Sequence, residues 1–268
     1  MRFSSPILTA SGCAGTGREL ASYVDLSMLG GFVTRTITLD PRTGTEGVRV
    51  AETPSGLVNT AGLQNPGISA FLAGELPWLV REDARVWVSI AGASPGEYAD
   101  LAKRLQVAPG VTGLELNLSA PDMRGLGLYD VREPFHASTV VAAVRRETQL
   151  PLLVKIRSDV VRVVETARTV AEAGADAVVV GNALPASMPD GRAAGLSGPA
   201  IGPLALRCVT QVVAELPDLP VIGCGGVATS AHVRSFLRAG ALAVQVGTAQ
   251  LHDPTTLARL VHDLQEDS

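Results

Sequence analysis

A cluster of polar residues at the end of one apolar stretch is the first candidate for chemistry. Residues 112–118 mix apolar and β-branched residues, and Asn117, Ser119 and Asp122 lie at or just beyond the end of that stretch. An amide, a hydroxyl and a carboxylate are costly to bury unless each has a polar partner. These groups therefore either face a ligand or cap a strand end as turn-forming residues, and the stretch alone leaves both interpretations open.

Lys155 is the second candidate, because lysine is rare in this chain and this one interrupts the apolar run 150–156. Only Lys103 shares its type. An ammonium at a buried strand end needs an anionic or carbonyl partner. Lys155 could stabilise negative charge on a reduced flavin ring, or it could form a structural ion pair.

Glycine-rich segments are the third candidates. Residues 223–227 read Gly-Cys-Gly-Gly-Val, and residues 247–249 read Gly-Thr-Ala. Because glycine lets backbone N–H groups approach a phosphate, the two segments together predict a phosphate site for a sugar or a nucleotide, although glycine also serves tight turns. Residues 59–67 combine amides with glycines, which could bind a flat polar heterocycle or form an ordinary turn cluster.

Eight apolar runs of strand length must position these groups. They lie at residues 6–10, 31–36, 86–92, 112–118, 151–156, 177–181, 220–224 and 241–246. Apolar runs without alternation are typical of parallel strands that are buried on both faces.

Segments with helical spacing separate these runs. They lie at residues 18–28, 95–106, 134–148, 160–173, 202–216, 230–239 and 254–264. Strand and helix in alternation predict an α/β fold, and eight strands in a chain of this length favour a (β/α)8 TIM barrel. We expect one domain over residues 1–268, with an excursion at about 39–67 over the barrel mouth. In such barrels the site lies at the C-terminal ends of the strands.

Composition excludes several classes of function. The net charge of −4 gives no basic surface for nucleic acid, and no apolar run is long enough to cross a membrane. The N-terminus lacks the pattern of a signal peptide, so a cytoplasmic location is expected. The three cysteines and four histidines show no metal-ligand spacing, and no metal is predicted.

Longer motifs give the chain a specific resemblance. Residues 49–54 read Arg-Val-Ala-Glu-Thr-Pro, residues 62–67 read Gly-Leu-Gln-Asn-Pro-Gly, and residues 115–119 read Glu-Leu-Asn-Leu-Ser. With Lys155 and Leu-Ser-Gly-Pro-Ala at 196–200, these motifs resemble the dihydroorotate dehydrogenase family over nearly the whole chain. The similarity is to its class 1 members, most closely to the class 1B catalytic subunit.

The resemblance implies an FMN-binding barrel that transfers a hydride between its substrate and the flavin. It implies cofactor contacts at Ser11, Arg35, Thr36, Asn117, Lys155, Gly198, Gly225, Gly226, Gly247 and Thr248. It implies substrate contacts at Arg35, Asn59, Gly62, Leu63, Asn117 and Asn182. A homodimer is expected, and an electron-transfer subunit carrying flavin and an iron–sulfur centre is a further expected partner.

The sequence departs from the family pattern where the resemblance puts the general base. The family has cysteine or serine at this position, and this chain has Ala120. Because a methyl group cannot accept a proton, the rate should fall by ~10²–10⁴ unless another group substitutes. Asp122 is the first candidate for that catalytic role beside Lys155, and Tyr129, Asp130 and His136 are weaker candidates.

The sequence therefore favours an FMN-dependent oxidoreductase of this family that acts on a pyrimidine-like or related substrate. One alternative is a genuine dihydroorotate dehydrogenase with a relocated base. Another is a catalytically silent flavin-binding or interaction protein. A barrel enzyme acting on a phosphosugar is a more distant alternative.

Overall fold

Twelve strands form within residues 1–266, the part of the chain that this computed structural model describes. They are β1 (Ile7–Thr9), β2 (Phe32–Val33), β3 (Val50–Thr53), β4 (Gly56–Asn59), β5 (Val86–Ile90), β6 (Val111–Asn117), β7 (Leu152–Ile156), β8 (Ala177–Val180), β9 (Leu184–Ser187), β10 (Ala193–Ser197), β11 (Val221–Cys224) and β12 (Ala243–Val246).

Eight of these strands form a parallel sheet in the order β1-β12-β11-β8-β7-β6-β5-β2. A bridge between Leu8 and Gly31 joins the first strand of that order to the last, which curls the sheet into a barrel. Seven of these strands lie within the predicted apolar runs and β6 begins one residue before its run, and their residues are almost all buried. The predicted TIM-barrel fold is confirmed.

Helices alternate with the barrel strands. They are α1 (Arg18–Ala21), α2 (Gly67–Ala70), α3 (Leu76–Arg81), α4 (Pro95–Gln106), α5 (Pro134–Glu147), α6 (Val163–Glu172), α7 (Gly202–Glu215), α8 (Ser230–Arg238), α9 (Thr248–His252) and α10 (Thr256–Glu266). A π-helical turn, Phe71–Glu75, joins α2 to α3. Local chemistry sets several starts: Ser94 accepts from the N–H of Glu97 before α4, and Thr229 accepts from the N–H of His232 before α8.

The helix predicted over residues 18–28 is wrong in its second half. α1 ends at Ala21, and a 3-10 turn follows at Leu26–Met28 because the Asp25 carboxylate accepts the N–H of Ser27. The helix predicted from residue 160 begins at Val163, since Asp159 holds a turn through the N–H of Val161. The helical segment 67–81 and α9 were not predicted.

A second, antiparallel sheet forms in the order β3-β4-β10-β9. The β3–β4 hairpin belongs to the predicted excursion, but the β9–β10 hairpin that completes the sheet comes from residues 184–197, which the sequence did not single out. Val58, Met188 and Ala194 pack together within it. Arg192, in the turn between β9 and β10, donates to the carbonyls of Glu46 and Val48 in the segment that leads into β3.

Trp87 fills the N-terminal end of the barrel. A Cβ added at Gly31 or Gly113 would collide with its indole ring, so glycine on these neighbouring strands makes room for it. Phe3 packs on the same ring at a centroid distance of 5.7 Å. The apolar core of the barrel interior also includes Leu153 and Ile222, so polar groups are concentrated toward the opposite end.

Candidate active site

A cavity of about 950 Å³ opens at the C-terminal ends of the barrel strands and is bordered by the antiparallel sheet. This volume is in the range of small-molecule binding sites. Most of the predicted site residues line it. They are Ser11, Arg35, Thr36, Asn59, Leu63, Asn117, Lys155, Asn182, Gly198, Gly225, Gly226, Gly247 and Thr248.

Two predicted residues are not brought to the cavity wall. Gly62 lies between Ala61 and Leu63, which line the cavity, but does not line it itself. Asp122 lies two residues beyond Ala120, which does line it, and its carboxylate instead accepts the N–H of Gly125 at 2.9 Å. The catalytic role of Asp122 therefore stays a prediction, with its carboxylate engaged in a turn.

The weaker base candidates also lie away from the cavity wall. Asp130 is bound by Arg132 and Arg124, and the hydrogen bond from Arg132 contributes most to holding the pKa of its carboxyl well below the usual range. Tyr129 and His136 contact each other edge to face at 5.7 Å. Asp130 thus pairs within the loop that follows β6, and His136 lies in the first turn of α5.

Lys155 belongs to a buried charged group inside the barrel. Its Nζ donates to Oε1 of Gln245 at 2.6 Å and lies 3.8 Å from Oε1 of Glu115. Gln245 in turn donates to Glu115. Burial alone lowers the pKa of Lys155, but Cys224 and the Glu115 carboxylate outweigh it, so this pKa lies above its usual value. Lys155 is thus positively charged at neutral pH. It forms an ion pair with Glu115 and also lines the cavity.

Hydroxyl and amide groups form a second network on the cavity wall. The hydroxyl of Thr36 lies 3.2 Å from that of Ser11 and 3.0 Å from that of Ser89, and it accepts from Nδ2 of Asn117 at 3.0 Å. Because that nitrogen donates here, the Asn117 amide has a fixed orientation. Its Oδ1 accepts from Asn182 at 3.4 Å, and Asn182 also donates to Ser119 at 2.9 Å.

Arg35 adds a second positive charge to the wall. Its Nε is buried, and within residues 1–266 it has no hydrogen-bond partner. A buried guanidinium nitrogen without a partner is costly, and an anionic or carbonyl ligand would relieve that cost. On the antiparallel sheet, Asn59 donates to the carbonyl of Gly195 at 3.3 Å and presents a further amide to the cavity.

Glycines give one corner of the cavity a bare backbone. Gly198, Gly225 and Gly226 have φ values of +99°, +127° and +71°, which side-chain-bearing residues rarely adopt. A Cβ at Gly226 would collide with Gly202, and a Cβ at Gly198 would lie 2.8 Å from the Cα of Gly56. This close-packed corner, completed by Gly247 and Thr248, suits the approach of a phosphate group to the backbone.

Sequence reasoning missed several lining residues outside the barrel strands. Glu52 and Leu57 face each other across β3 and β4, and Leu251, His252 and Arg259 come from α9 and α10. Alternation along residues 50–59 could have indicated the first two. No comparable signal marks Arg259, since its place depends on how α10 packs.

Metal-ligand clusters and membrane-spanning helices are both absent from residues 1–266. No group of three or more His, Cys, Asp or Glu side chains in that range is arranged to hold a metal ion. No helix there is long and apolar enough to span a membrane.

Comparison with known proteins gives consistent matches. The family model described as dihydroorotate dehydrogenase matches residues 1–267. The dihydroorotate dehydrogenase B (NAD(+)) catalytic subunit of Pelobacter propionicus is 42% identical, over 99% of this chain and 90% of that protein. The subunit of the same name from Anoxybacillus flavithermus is 39% identical, over 98% of this chain and 87% of that protein.

A solved structure matches at the level of the fold. The crystal structure of DHODH from Eimeria tenella in complex with ferulenol superimposes with a TM-score of 0.84. The match covers 99% of this chain and 81% of that one, at 20% sequence identity. At this identity the similarity supports the barrel architecture alone.

Proposed function

Because this chain belongs to the dihydroorotate dehydrogenase family, we propose that it is an FMN-dependent oxidoreductase that transfers a hydride between a pyrimidine-like or related substrate and the flavin. One observation carries the proposal: a buried lysine, an amide and hydroxyl network and a bare glycine corner line the same cavity. Such a combination fits a ligand with a polar ring at one end and a phosphate at the other.

The residues present fit a flavin nucleotide. Gly225, Gly226 and Gly247 would give its phosphate access to backbone N–H groups at the glycine corner. Lys155 would hold a positive charge beside the ring, and Glu115 and Gln245 fix its position. A bound flavin would supply a two-electron acceptor for a hydride.

The substrate side of the cavity would be formed by amides and one guanidinium. Asn59, Asn117 and Asn182 offer N–H donors and carbonyl acceptors to the edges of a pyrimidine. Arg35 offers a planar fork that suits a carboxylate, which dihydroorotate carries. Each of these protein groups would then hydrogen-bond to a polar atom of the substrate, and that atom would be costly to bury without a partner.

Ala120 limits what the substrate can be. It lines the cavity at the position that the family resemblance gives to the general base, yet its methyl group cannot accept a proton. The Asp122 carboxylate would have to leave the N–H of Gly125 to replace it. We therefore propose a substrate class related to dihydroorotate and do not restrict it to that compound.

The second candidate function is dihydroorotate oxidation itself, with a relocated base. The extent of the similarity favours it, since relatives that carry this name match 98–99% of the chain at 39–42% identity. Their names describe a catalytic subunit of an enzyme that uses NAD(+). By analogy, we propose that an electron-transfer subunit carrying flavin and an iron–sulfur centre serves this chain.

An anaerobic flavin titration of the purified protein tests these proposals. We expect the visible absorbance of an oxidised flavin, released as FMN on denaturation, and bleaching by a dihydropyrimidine. Rapid bleaching by dihydroorotate with formation of orotate would favour the second candidate. A flavin that no dihydropyrimidine bleaches would indicate a silent flavin-binding protein, and a colourless protein that does not bind added FMN would contradict both candidates.

A further inference from the structure

One part of the cavity wall is formed by α9 and α10, and it carries a positively charged side chain that has no role in the proposed function. This part of the wall includes Leu251, His252, Asp253, Thr256 and Arg259. Among the described lining residues, the side chains with a fixed positive charge are Arg35, Lys155 and Arg259. The first two lie at the ends of barrel strands, whereas Arg259 lies on the first turn and a half of α10.

Hydrogen bonds hold this part of α10 against the glycine corner. The hydroxyl of Thr256 donates to the carbonyl of Ala249 at 3.3 Å, and the N–H of Asp253 donates to the same carbonyl at 2.9 Å. Ala249 directly follows Gly247 and Thr248, which form one side of that corner. The start of α10 is therefore fixed one residue away from the backbone that suits a phosphate.

Arg259 is oriented by its neighbours without being saturated by them. Its Nη2 donates to the hydroxyl of Thr256 at 3.5 Å, and its Nη1 lies 3.4 Å from Oδ2 of Asp253. Within residues 1–266 no other group accepts a hydrogen bond from this guanidinium. Five N–H donors in a planar fork are available on arginine, so donors remain for an anion in the cavity.

Asp253 brings a negative charge to the same region, and its carboxylate already accepts hydrogen bonds from Thr255. Its carboxylate accepts the hydroxyl of Thr255 at 2.6 Å and the N–H of Thr255 at 3.0 Å. These bonds, the hydroxyl first, lower the pKa of Asp253. Nη1 of Arg259 lies 3.4 Å from this carboxylate, so the opposite charge of the guanidinium offsets part of the repulsion between Asp253 and a second anion.

We infer that Arg259 binds the phosphate of the flavin nucleotide beside the backbone of Gly247 and Thr248. The inference rests on the proposed function and adds a residue to it. A phosphate monoester carries close to two negative charges at neutral pH, which matches an arginine fork beside backbone N–H groups. Lys155 and Arg259 would then contact two different electron-rich groups of one ligand, the ring and the phosphate.

The test compares FMN with riboflavin, which lacks the phosphate. Flavin-free wild-type protein and the Arg259→Gln variant are titrated with each ligand, and quenching of flavin fluorescence gives the dissociation constants. We expect the Kd for FMN to rise about tenfold in Arg259→Gln and the Kd for riboflavin to stay unchanged. Arg259→Lys keeps the charge and should recover part of the loss.

Arg238→Gln is the matched control, because Arg238 is exposed on α8 and does not line the cavity. It should leave both dissociation constants unchanged. If Arg259→Gln weakens FMN and riboflavin equally, or weakens neither, the assignment of Arg259 is wrong while the proposed function stands. If the wild-type protein binds neither flavin, the proposed function itself fails.

Discussion

Lys155 remains charged inside the barrel because two polar side chains compensate it. Glu115 supplies the opposite charge at 3.8 Å, and Gln245 bridges the two by accepting from Lys155 and donating to Glu115. Ion-pair partner and ligand contact were the two interpretations that the sequence left open for Lys155. The structure shows the ion pair on a residue that also lines the cavity, so the interpretations are compatible.

Removing this ammonium should destabilise the fold. Lys155→Met leaves the Glu115 carboxylate buried without a counter-charge, and we expect a loss of about 3–5 kcal/mol in the free energy of unfolding. The double variant Lys155→Met with Glu115→Gln should recover part of it. Urea unfolding of the wild type, both single variants and the double variant measures the coupling. A loss below about 1 kcal/mol would show that the pair is well hydrated.

The same pair makes a prediction about alkaline pH. The folded-state pKa of Lys155 is raised, so its contribution to stability is fully present below the unfolded-state pKa and is lost as pH rises through the folded-state pKa. The unfolded value is about 10.4. Stability from this group should therefore be constant through neutral pH and fall only in strongly alkaline solution.

Cys13 should react slowly although it lines the cavity. Burial of its thiol, opposed by Lys155, raises its pKa to about 11. Because the thiolate is the reactive form, alkylation by iodoacetamide below pH 9 should be much slower than for a free thiol. Peptide mapping after timed alkylation measures the rate, with Cys13→Ser as control. Rapid labelling at neutral pH would contradict the raised pKa.

Ala120 allows a gain-of-function test. Ala120→Cys or Ala120→Ser would place a proton acceptor at a cavity-lining position. If dihydroorotate binds in this cavity, either variant should accelerate its anaerobic oxidation by ~10²–10⁴ over the wild type. Stopped-flow measurement of flavin bleaching gives the rate, and Ala120→Val controls for added volume. Equal rates in all four proteins would mean that proton removal does not limit the reaction.

At the scale of elements, Arg42 connects two loops at the barrel mouth. It lies in the excursion, where its backbone pairs with Asn65, and its side chain donates to the carbonyls of Leu126 at 2.7 Å and Gly62 at 3.4 Å. Gly62 precedes Leu63, which lines the cavity, and Leu126 belongs to the loop that follows Ala120. The Arg42 side chain therefore connects the segment that contains Gly62 to the loop that contains Leu126.

Arg42→Ala should loosen the loop of residues 121–133 with little effect on the barrel. We expect faster amide hydrogen exchange at Gly127 and Leu128, since the turn that contains them loses a tether. Hydrogen–deuterium exchange followed by mass spectrometry measures this change. Arg81→Ala, at the exposed end of α3, is the control. Unchanged amide exchange in the loop would show that the hydrogen bonds within the loop are enough to keep it ordered without Arg42.

The barrel strands could be predicted because a strand that is buried on both faces consists mainly of apolar residues, and each therefore appears in the sequence as an apolar run. The antiparallel sheet could not, since β3 alternates exposed and half-buried residues and β9 contains Pro185. Its strands are defined by pairing between hairpins that lie far apart in the sequence. The helical segment 67–81 was hidden by Gly74 and Pro77, residues that usually argue against a helix.

At the scale of the whole molecule, parallel topology explains why so many cavity-lining residues could be predicted from the sequence. All eight C-terminal strand ends meet on one rim, so collecting the residue that follows each apolar run recovers the inner wall of the cavity. The outer wall comes from hairpins and helices whose placement depends on tertiary packing. Leu251 and Arg259 are examples.

The chain by itself should not pass electrons to NAD(+). We proposed a partner subunit for that step, because the relatives named as catalytic subunits belong to an NAD(+)-dependent enzyme. We expect the purified chain to reduce an artificial dye with a suitable donor, and to form no NADH until a partner carrying flavin and an iron–sulfur centre is added. Absorbance of NADH measures this. Steady NADH formation by the chain alone would contradict the need for a partner.

Trp87, packed against Gly31 and Gly113, closes the N-terminal end of the barrel to small molecules. We therefore expect the substrate and the electron acceptor to reach the cavity from the C-terminal end of the barrel, so that a compound bound there blocks the next one. Compounds of unrelated shape that bind at this opening should consequently be competitive with one another. A reaction between two substrates in this cavity should follow ping-pong kinetics.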